Sequence, residues 1–159
     1  MRAHRVGTRS LLSALLMAGG LLAGHSAFAA DAPKVITLTQ TGCQFLESEG
    51  GIDQKYQTST AEDCKKINAE TGKDRVAKSA PLVLKPGKYV FRVTNKNVPY
   101  GLGFWLRGSG FGRVTLPSVS GGGLSQGVTK DYVVDLKPGE YVYSCPLNPT
   151  PDYALIVKG

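Results

Sequence analysis

The chain has 159 residues, of which 19 are lysine or arginine and 12 are aspartate or glutamate. That length suits a single domain with a hydrophobic core of its own. The positive excess is small and scattered along the chain, so the composition excludes neither export nor protein binding but does not indicate a nucleic-acid-binding protein.

The first 29 residues are typical of a secretory signal peptide. Arg2, Arg5 and Arg9 form a basic start, an apolar run follows over 11–24, and Ala27-Phe28-Ala29 supplies small residues before a cleavage site. The apolar run is shorter than the roughly 20 residues that a membrane-spanning helix needs. We therefore expect an exported protein, periplasmic or secreted, with cleavage after residue 29 and no stable membrane insertion.

Signal-peptide removal changes the metal-binding inventory of the mature domain, residues 30–159. Both histidines, His4 and His25, and both methionines, Met1 and Met17, lie in the removed segment. Three of the 19 basic residues and none of the acidic ones leave with it, so the formal charge becomes 16 − 12 = +4. Without histidine the domain lacks the usual base for proton transfer or nucleophile activation, so we expect a protein that is not an enzyme.

A polar insertion, residues 42–79, follows the first predicted strand, whose alternating β-branched residues span 35–39. Within the insertion we predict a helix over 60–71 that ends at Gly72. Two capping boxes would start this helix equally well, Ser59 with Glu62 or Thr60 with Asp63. The acidic segment 47–49, earlier in the insertion, is typical of a solvated loop.

From residue 81 onward the chain alternates short strands with Pro/Gly turns. Three of these strands are predicted at 102–107, 130–136 and 154–157. The segment LKPGKYVF at 84–91 recurs as LKPGEYVY at 136–143, and we interpret the two copies as equivalent hairpin entries. The glycine-rich residues 108–127 predict a long flexible connection. Many short strands with such turns predict an all-β sandwich.

Three cysteines in an exported chain leave one thiol without a partner. Cys43 and Cys64 both lie in the insertion, and we predict a disulfide between them that pins the helix to the first strand. Closing a loop of that length stabilises the fold by about 3 kcal/mol in the chain-entropy model. Cys145 is then the free thiol, and exchange of Cys145 with the other two cysteines remains an alternative.

The segment 138–146, PGEYVYSCP, followed by a short loop and a last strand, resembles the copper-ligand loop of the cupredoxin family. A second match covers 89–100, a strand followed by Val98-Pro99-Tyr100. The resemblance extends over roughly 81–159 and also accommodates the first strand. It implies a Greek-key β-sandwich that carries its site at one end.

The ligand positions that the resemblance implies are largely replaced in this chain. The family's first histidine corresponds to Tyr100, its second to Asn148, and its weak thioether ligand to Tyr153, so only Cys145 is retained. A blue-copper site needs two imidazoles and a thiolate. We therefore expect a degenerate site whose side chains converge. In the simplest interpretation they hydrogen-bond one another and brace the loop.

Together these observations predict an exported cupredoxin-like interaction protein without a type-1 copper site and without another cofactor. We expect it to bind a protein partner through the Tyr100/Asn148/Tyr153 end. Trp105 and Arg107 form a candidate recognition surface, because tryptophan, tyrosine and arginine are common in binding hot spots. The alternative is a copper-binding or electron-transfer protein that uses Cys145 with atypical or partner-supplied ligands, including a three-thiolate Cu(I) site.

Overall fold

The computed structural model describes residues 32–159, and the predicted signal peptide at 1–29 lies outside the described residues. This part of the chain folds into two β-sheets that share one core, with a long helix on the outside. Within it, no helix is long and apolar enough to cross a membrane.

Nine strands make up the two sheets. Their bounds are β1 Lys34–Thr41, β2 Gln44–Phe45, β3 Leu82–Leu84, β4 Gly87–Asn95, β5 Leu102–Gly108, β6 Val119–Leu124, β7 Thr129–Leu136, β8 Gly139–Ser144 and β9 Tyr153–Val157. The first sheet has the order β2-β1-β4-β7 and the second β3-β9-β8-β5-β6. β1 lies parallel to β4 and β3 parallel to β9, whereas the remaining pairs are antiparallel. The predicted β-sandwich is confirmed at this level.

Helix α1, Ala61–Lys78, lies in the predicted insertion, and its start is the Thr60 capping box, in which Asp63 accepts a hydrogen bond from Thr60 N at 2.9 Å. The predicted end at Gly72 is wrong, because the helix runs through Gly72 for six more residues. Gly72 is buried, and a Cβ built on it would lie 3.8 Å from Pro151 Cγ. The glycine therefore lets the helix lie close to the loop after β8, instead of ending it.

The two LKPG segments carry the chain between the sheets, so the predicted hairpin entries are wrong. The first joins β3 in the second sheet to β4 in the first, and the second joins β7 in the first to β8 in the second. Gly87 and Gly139 take φ values of 135° and 154° there, a region that favours glycine. Tyr89 and Tyr141 each donate a hydrogen bond, 2.9 Å long, to the carbonyl four residues earlier. Each copy of the repeat therefore forms a connection from one sheet to the other, and a tyrosine hydrogen bond stabilises each connection.

The glycine-rich segment 108–127 is structured, contrary to the predicted flexible connection. It contains a short helix, α2 (Gly112–Thr115), and β6, which includes the three consecutive glycines at 121–123. Tyr132 on β7 explains the first of these, because its hydroxyl donates to Gly121 O at 3.3 Å and its ring lies directly over Gly121. Glycine in this strand therefore makes room for a tyrosine that bridges the two sheets.

Alanine at position 121 is expected to destabilise the sandwich by about 1–3 kcal/mol, the usual cost of overpacking. A Cβ there would lie 2.9 Å from Tyr132 Cε1, and the Tyr132 ring is held against Phe104 with 5.1 Å between centroids. Gly122→Ala is the matched control, since its Cβ would lie 3.7 Å from Leu147 Cδ1, an ordinary contact. Urea unfolding of both variants measures the difference. Equal losses of stability would show that the Tyr132 ring moves aside without cost, which would contradict the expectation.

Candidate functional site

The candidate site lies at one end of the sandwich, which we call the loop end and define as residues 96–101 and 145–152. Tyr100 precedes β5, Cys145 directly follows β8, and Asn148 lies in the loop between β8 and β9. The structure brings these three residues together. It also places the Cys43–Cys64 disulfide beside them, which confirms the predicted pairing.

Asn148 is the centre of this cluster and is fully buried. Its Oδ1 accepts hydrogen bonds from Cys43 N at 3.2 Å and from the Tyr100 hydroxyl at 3.0 Å. Its Nδ2 donates to Thr41 O at 3.0 Å, and its backbone N donates to Cys145 Sγ at 3.2 Å. One side chain thus ties the end of β1, the start of the insertion and the loop after β8 to one another.

The disulfide packs directly on the same amide. Asn148 Oδ1 lies 3.0 Å from Cys64 Sγ, and because a disulfide sulfur carries no proton, this is a packing contact without a hydrogen bond. The Tyr100 hydroxyl lies 3.8 Å from that sulfur and 3.2 Å from Thr60 O at the start of α1. Burial raises the pKa of Tyr100 above its ordinary value. The phenol therefore stays protonated and available as a donor.

The Cys145 thiol lies beneath this cluster, with 1% of its surface exposed. Its Sγ accepts hydrogen bonds from Gly103 N at 3.3 Å and Asn148 N at 3.2 Å. Burial raises the pKa of the thiol despite these donors. Since the thiolate is the reactive form of cysteine, Cys145 is a poor nucleophile in the folded protein.

Tyr153, the fourth predicted member, directs its hydroxyl into a separate group that we call the Arg75 cluster: Glu49, Arg75 and Tyr153. Tyr153 donates to Glu49 Oε1 at 2.5 Å, and Arg75 Nη2 donates to the same oxygen at 2.7 Å. The side chains of Arg75 and Glu49 are 8% and 5% exposed, so this is a buried ion pair. Sequence reasoning missed it and placed Glu49 in a solvated loop, because 26 positions separate the two charges.

Trp105 and Arg107, the predicted recognition surface, are exposed to different degrees. Arg107 is buried, where it donates to Ser144 Oγ at 2.9 Å and to Asp152 Oδ1 at 2.6 Å. Its guanidinium lies 4.0 Å from the centroid of the half-buried Trp105 ring. Arg113 lies 5.5 Å from that centroid. Arg107 therefore supports the tryptophan from within, and the exposed part of this surface consists of Trp105 and Arg113.

The loop end is closed to a partner at the positions where we expected contact. Asn148 is 0% exposed and Tyr153 is 1% exposed, because helix α1 and the 47–49 turn cover them. Only Tyr100 is partly accessible. Of the three residues that define the predicted binding end, Asn148 and Tyr153 are therefore buried and Tyr100 alone offers surface, while binding of a partner at this end stays a prediction.

The residues at the loop end do not fit a type-1 copper ion. The atoms present are a thiol, an amide and a phenol, and the amide oxygen already accepts two hydrogen bonds. Among residues 32–159 no three His, Cys, Asp or Glu side chains form a group that could hold a metal ion. Imidazole, which such a site requires twice, is absent after residue 25.

Stability is expected to fall steeply at alkaline pH, because burial raises the pKa values of Tyr143, Tyr153 and Cys145. The unfolded chain loses these protons near pH 8.5 for cysteine and about 10 for tyrosine, while the folded protein keeps them. Stability is therefore full below about pH 8.5 and declines above it, by up to about 1.4 kcal/mol per pH unit for each group. Urea unfolding between pH 7 and 11 measures the decline, and Tyr153→Phe should make it shallower above pH 10. A flat profile would contradict the expectation.

Comparison with known proteins leaves the family open, since neither a protein-family model nor a curated protein matches the chain. Among solved structures it is similar to one described as "Crystal structure of Lac15 from a marine microbial metagenome", with a TM-score of 0.40 and 15% sequence identity. The match covers 98% of this chain and 33% of that one, so the chain spans about a third of that structure's length. A similarity at this level assigns neither a fold family nor an activity.

Proposed function

We propose that the mature protein is an exported, non-enzymatic, cupredoxin-like interaction module, periplasmic or secreted, whose loop end is closed by its own insertion and holds no type-1 copper. The observation that carries this proposal is the environment of Asn148. In the cupredoxin resemblance it stands where the family has a metal-binding imidazole, and each polar atom of its side chain already has a partner within the chain. A buried, satisfied amide braces a loop and leaves no coordination position to fill.

The Greek-key cupredoxin type is part of the proposal. It is supported by the PGEYVYSCP segment, which provides β8 and the start of the loop, and by two sheets that each combine parallel and antiparallel pairs. Cys145, directly after β8, and Tyr100, two residues before β5, lie at the same end of the sandwich, which is the arrangement that the resemblance implies.

Binding, as opposed to catalysis, follows from the chemistry available in the mature domain. No histidine remains to move protons, and the one free thiol is buried with a raised pKa. A protein partner would meet the surface formed by Trp105 and Arg113, where an aromatic ring and a cation are presented together.

Copper titration of the mature protein, residues 30–159, tests the proposal. We expect Cu(II) to give no intense thiolate-to-copper absorption band, and Cys145→Ser to give the same spectrum as the parent. An intense band in the parent that disappears in Cys145→Ser would overturn the proposal and favour the copper alternative.

The copper alternative has one supporting observation of its own. Cys145 Sγ accepts two backbone hydrogen bonds, and such bonds to a cysteine sulfur tune copper sites. Ligands from a partner would then have to reach Cys145 past Asn148. Thiol exchange between Cys145 and the disulfide has less support, because all three cysteines are at most 1% exposed. Mass mapping of the oxidised protein for a bridge to Cys145 tests that exchange.

A further inference from the structure

Helix α1 lies against the sandwich through a face that is polar. The residues that point inward are Cys64, Asn68, Gly72 and Arg75, spaced by four, four and three positions, and of these only Cys64, Gly72 and Arg75 are buried. A helix on a globular protein normally docks through an apolar stripe that the hydrophobic effect holds in place. Helix α1 has no such stripe, so other interactions must hold it.

The principal ones are a disulfide, a buried ion pair and hydrogen bonds. Cys64 is bonded to Cys43, Asn68 Nδ2 donates to Pro149 O, and Arg75 donates to Cys43 O at 2.8 Å and to Glu49. One of them is covalent, and the others are polar, with the buried Arg75–Glu49 ion pair the most substantial of these. Water can solvate both charges once the helix moves away, so the disulfide is the one constraint on α1 that solvent cannot replace.

The hydrophobic core does not depend on the helix. Among the residues that the structure describes, the core cluster and the apolar side chains packed against it come from strands and their connections, and none from α1. Phe45, on β2 before the helix, is part of this core, with its ring centroid 5.6 Å from that of Tyr143 and 6.0 Å from that of Tyr153. The sandwich can therefore keep its core when α1 is displaced.

Cys43 adds a second reason for the helix to move when the disulfide breaks. Its φ of 61° lies in the left-handed region, which costs a residue other than glycine free energy. The conformation is held from three sides, by Cys64 through the disulfide, by Asn148 at its N–H and by Arg75 at its carbonyl. Cleavage of the disulfide removes the only covalent one of these three restraints.

From these observations we infer that helix α1 is a lid over the loop 148–151, which in turn covers the Cys145 thiol through Asn148, and that the Cys43–Cys64 disulfide is its latch. Reduction by a dithiol opens the latch: the dithiol supplies two electrons and two protons, the disulfide becomes two thiols, and the reductant becomes a disulfide. The helix then leaves the loop end while the sandwich stays folded, and the Cys145 thiol becomes accessible. The redox state of the disulfide thus decides whether the loop end is covered.

The Cys43→Ser/Cys64→Ser variant tests this directly, because it lacks the latch and keeps Cys145 as its one thiol. The measurements are the rate at which a maleimide modifies Cys145, followed by mass, and hydrogen exchange along the chain. We expect modification at least about tenfold faster than in the oxidised parent, rapid exchange in α1, and continued protection of β4, β5 and β8. The parent reduced with a dithiol, which is then removed, should show the same exchange pattern and the same faster modification of Cys145, read from the Cys145 peptide because Cys43 and Cys64 are then thiols as well.

Asn68→Ala is the matched control, since it removes a polar contact of the lid but keeps the latch, and its Cys145 should react as slowly as that of the parent. Cys145→Ala confirms that the label is on the intended residue. Protected α1 amides with an unreactive Cys145 in the serine variant would overturn the inference. So would loss of the whole cooperative unfolding transition, because the sandwich would then need the helix.

Discussion

Asn148→Ala is expected to lower the free energy of unfolding by about 3–5 kcal/mol, since each buried polar group left without a partner costs about 1–3 kcal/mol. Removing the amide takes the side-chain partner away from the Cys43 N–H and from the Thr41 carbonyl, both inside the protein. The Tyr100 hydroxyl retains only Thr60 O, 3.2 Å away. Urea unfolding at neutral pH, with the denaturant slope compared as well as the midpoint, measures the loss.

Asn97→Ala supplies the matched control for that experiment, because it makes the same chemical change at an exposed asparagine of the loop end. Its effect should stay within about 0.5 kcal/mol, as is usual for surface substitutions. Equal effects of the two variants would mean that the Asn148 hydrogen bonds contribute no net stability, and the main support for a braced, closed loop end would be lost.

Arg75→Met should also destabilise the protein strongly, by about 3–5 kcal/mol, because it leaves a buried carboxylate without its cation. The Glu49 side chain is 5% exposed, and its carboxylate accepts hydrogen bonds from two nitrogens of Arg75 at 3.0 and 2.7 Å. Methionine keeps much of the side-chain volume, so the loss reflects the charge more than packing. Glu49→Gln should be less damaging, since it removes the charge and keeps an acceptor for Tyr153.

The double variant Arg75→Met/Glu49→Gln separates the ion pair from its surroundings. We expect it to be more stable than the sum of the two single effects implies, because neither buried charge is then left alone. Arg92→Met is the matched control: its partner Asp131 is 2.8 Å away, but their side chains are 48% and 42% exposed. An exposed pair of this kind contributes at most about 1 kcal/mol. Additive effects at Glu49 and Arg75 would argue against a coupled buried pair.

Features set by neighbouring residues could be predicted from the sequence. The first strand, predicted at 35–39, extends over Lys34–Thr41, and the start of helix α1 is the Thr60 and Asp63 capping box, one of the two that the sequence allowed. A strand pattern and a helix cap each depend on residues only a few positions apart in the sequence. The disulfide was predictable for a different reason, since two of three cysteines share one insertion in a chain that we expect to be exported.

Features that depend on distant contacts could not be predicted. The predicted end of α1 at Gly72 was wrong, because the glycine serves the close approach of the helix to Pro151, which lies 79 positions away in the sequence. The glycines of β6 suggested a flexible loop because nothing nearby in the sequence shows that Tyr132 lies over Gly121. The LKPG repeat revealed two equivalent turns, yet only the strand order shows that each turn leads to the opposite sheet.

Composition, which folding cannot alter, was decided by the sequence alone: beyond residue 25 there is no imidazole, after residue 17 no thioether, and one of three cysteines has no partner. Only the tertiary structure decided which interactions occupy the loop end in place of metal ligands. The partners of Asn148 come from positions 41, 43, 100 and 145, and the charge that meets Glu49 lies on a helix that folds back over the loop. Hydrogen bonds and buried ion pairs act over a few ångströms, so they join groups whose proximity exists only once the chain has folded.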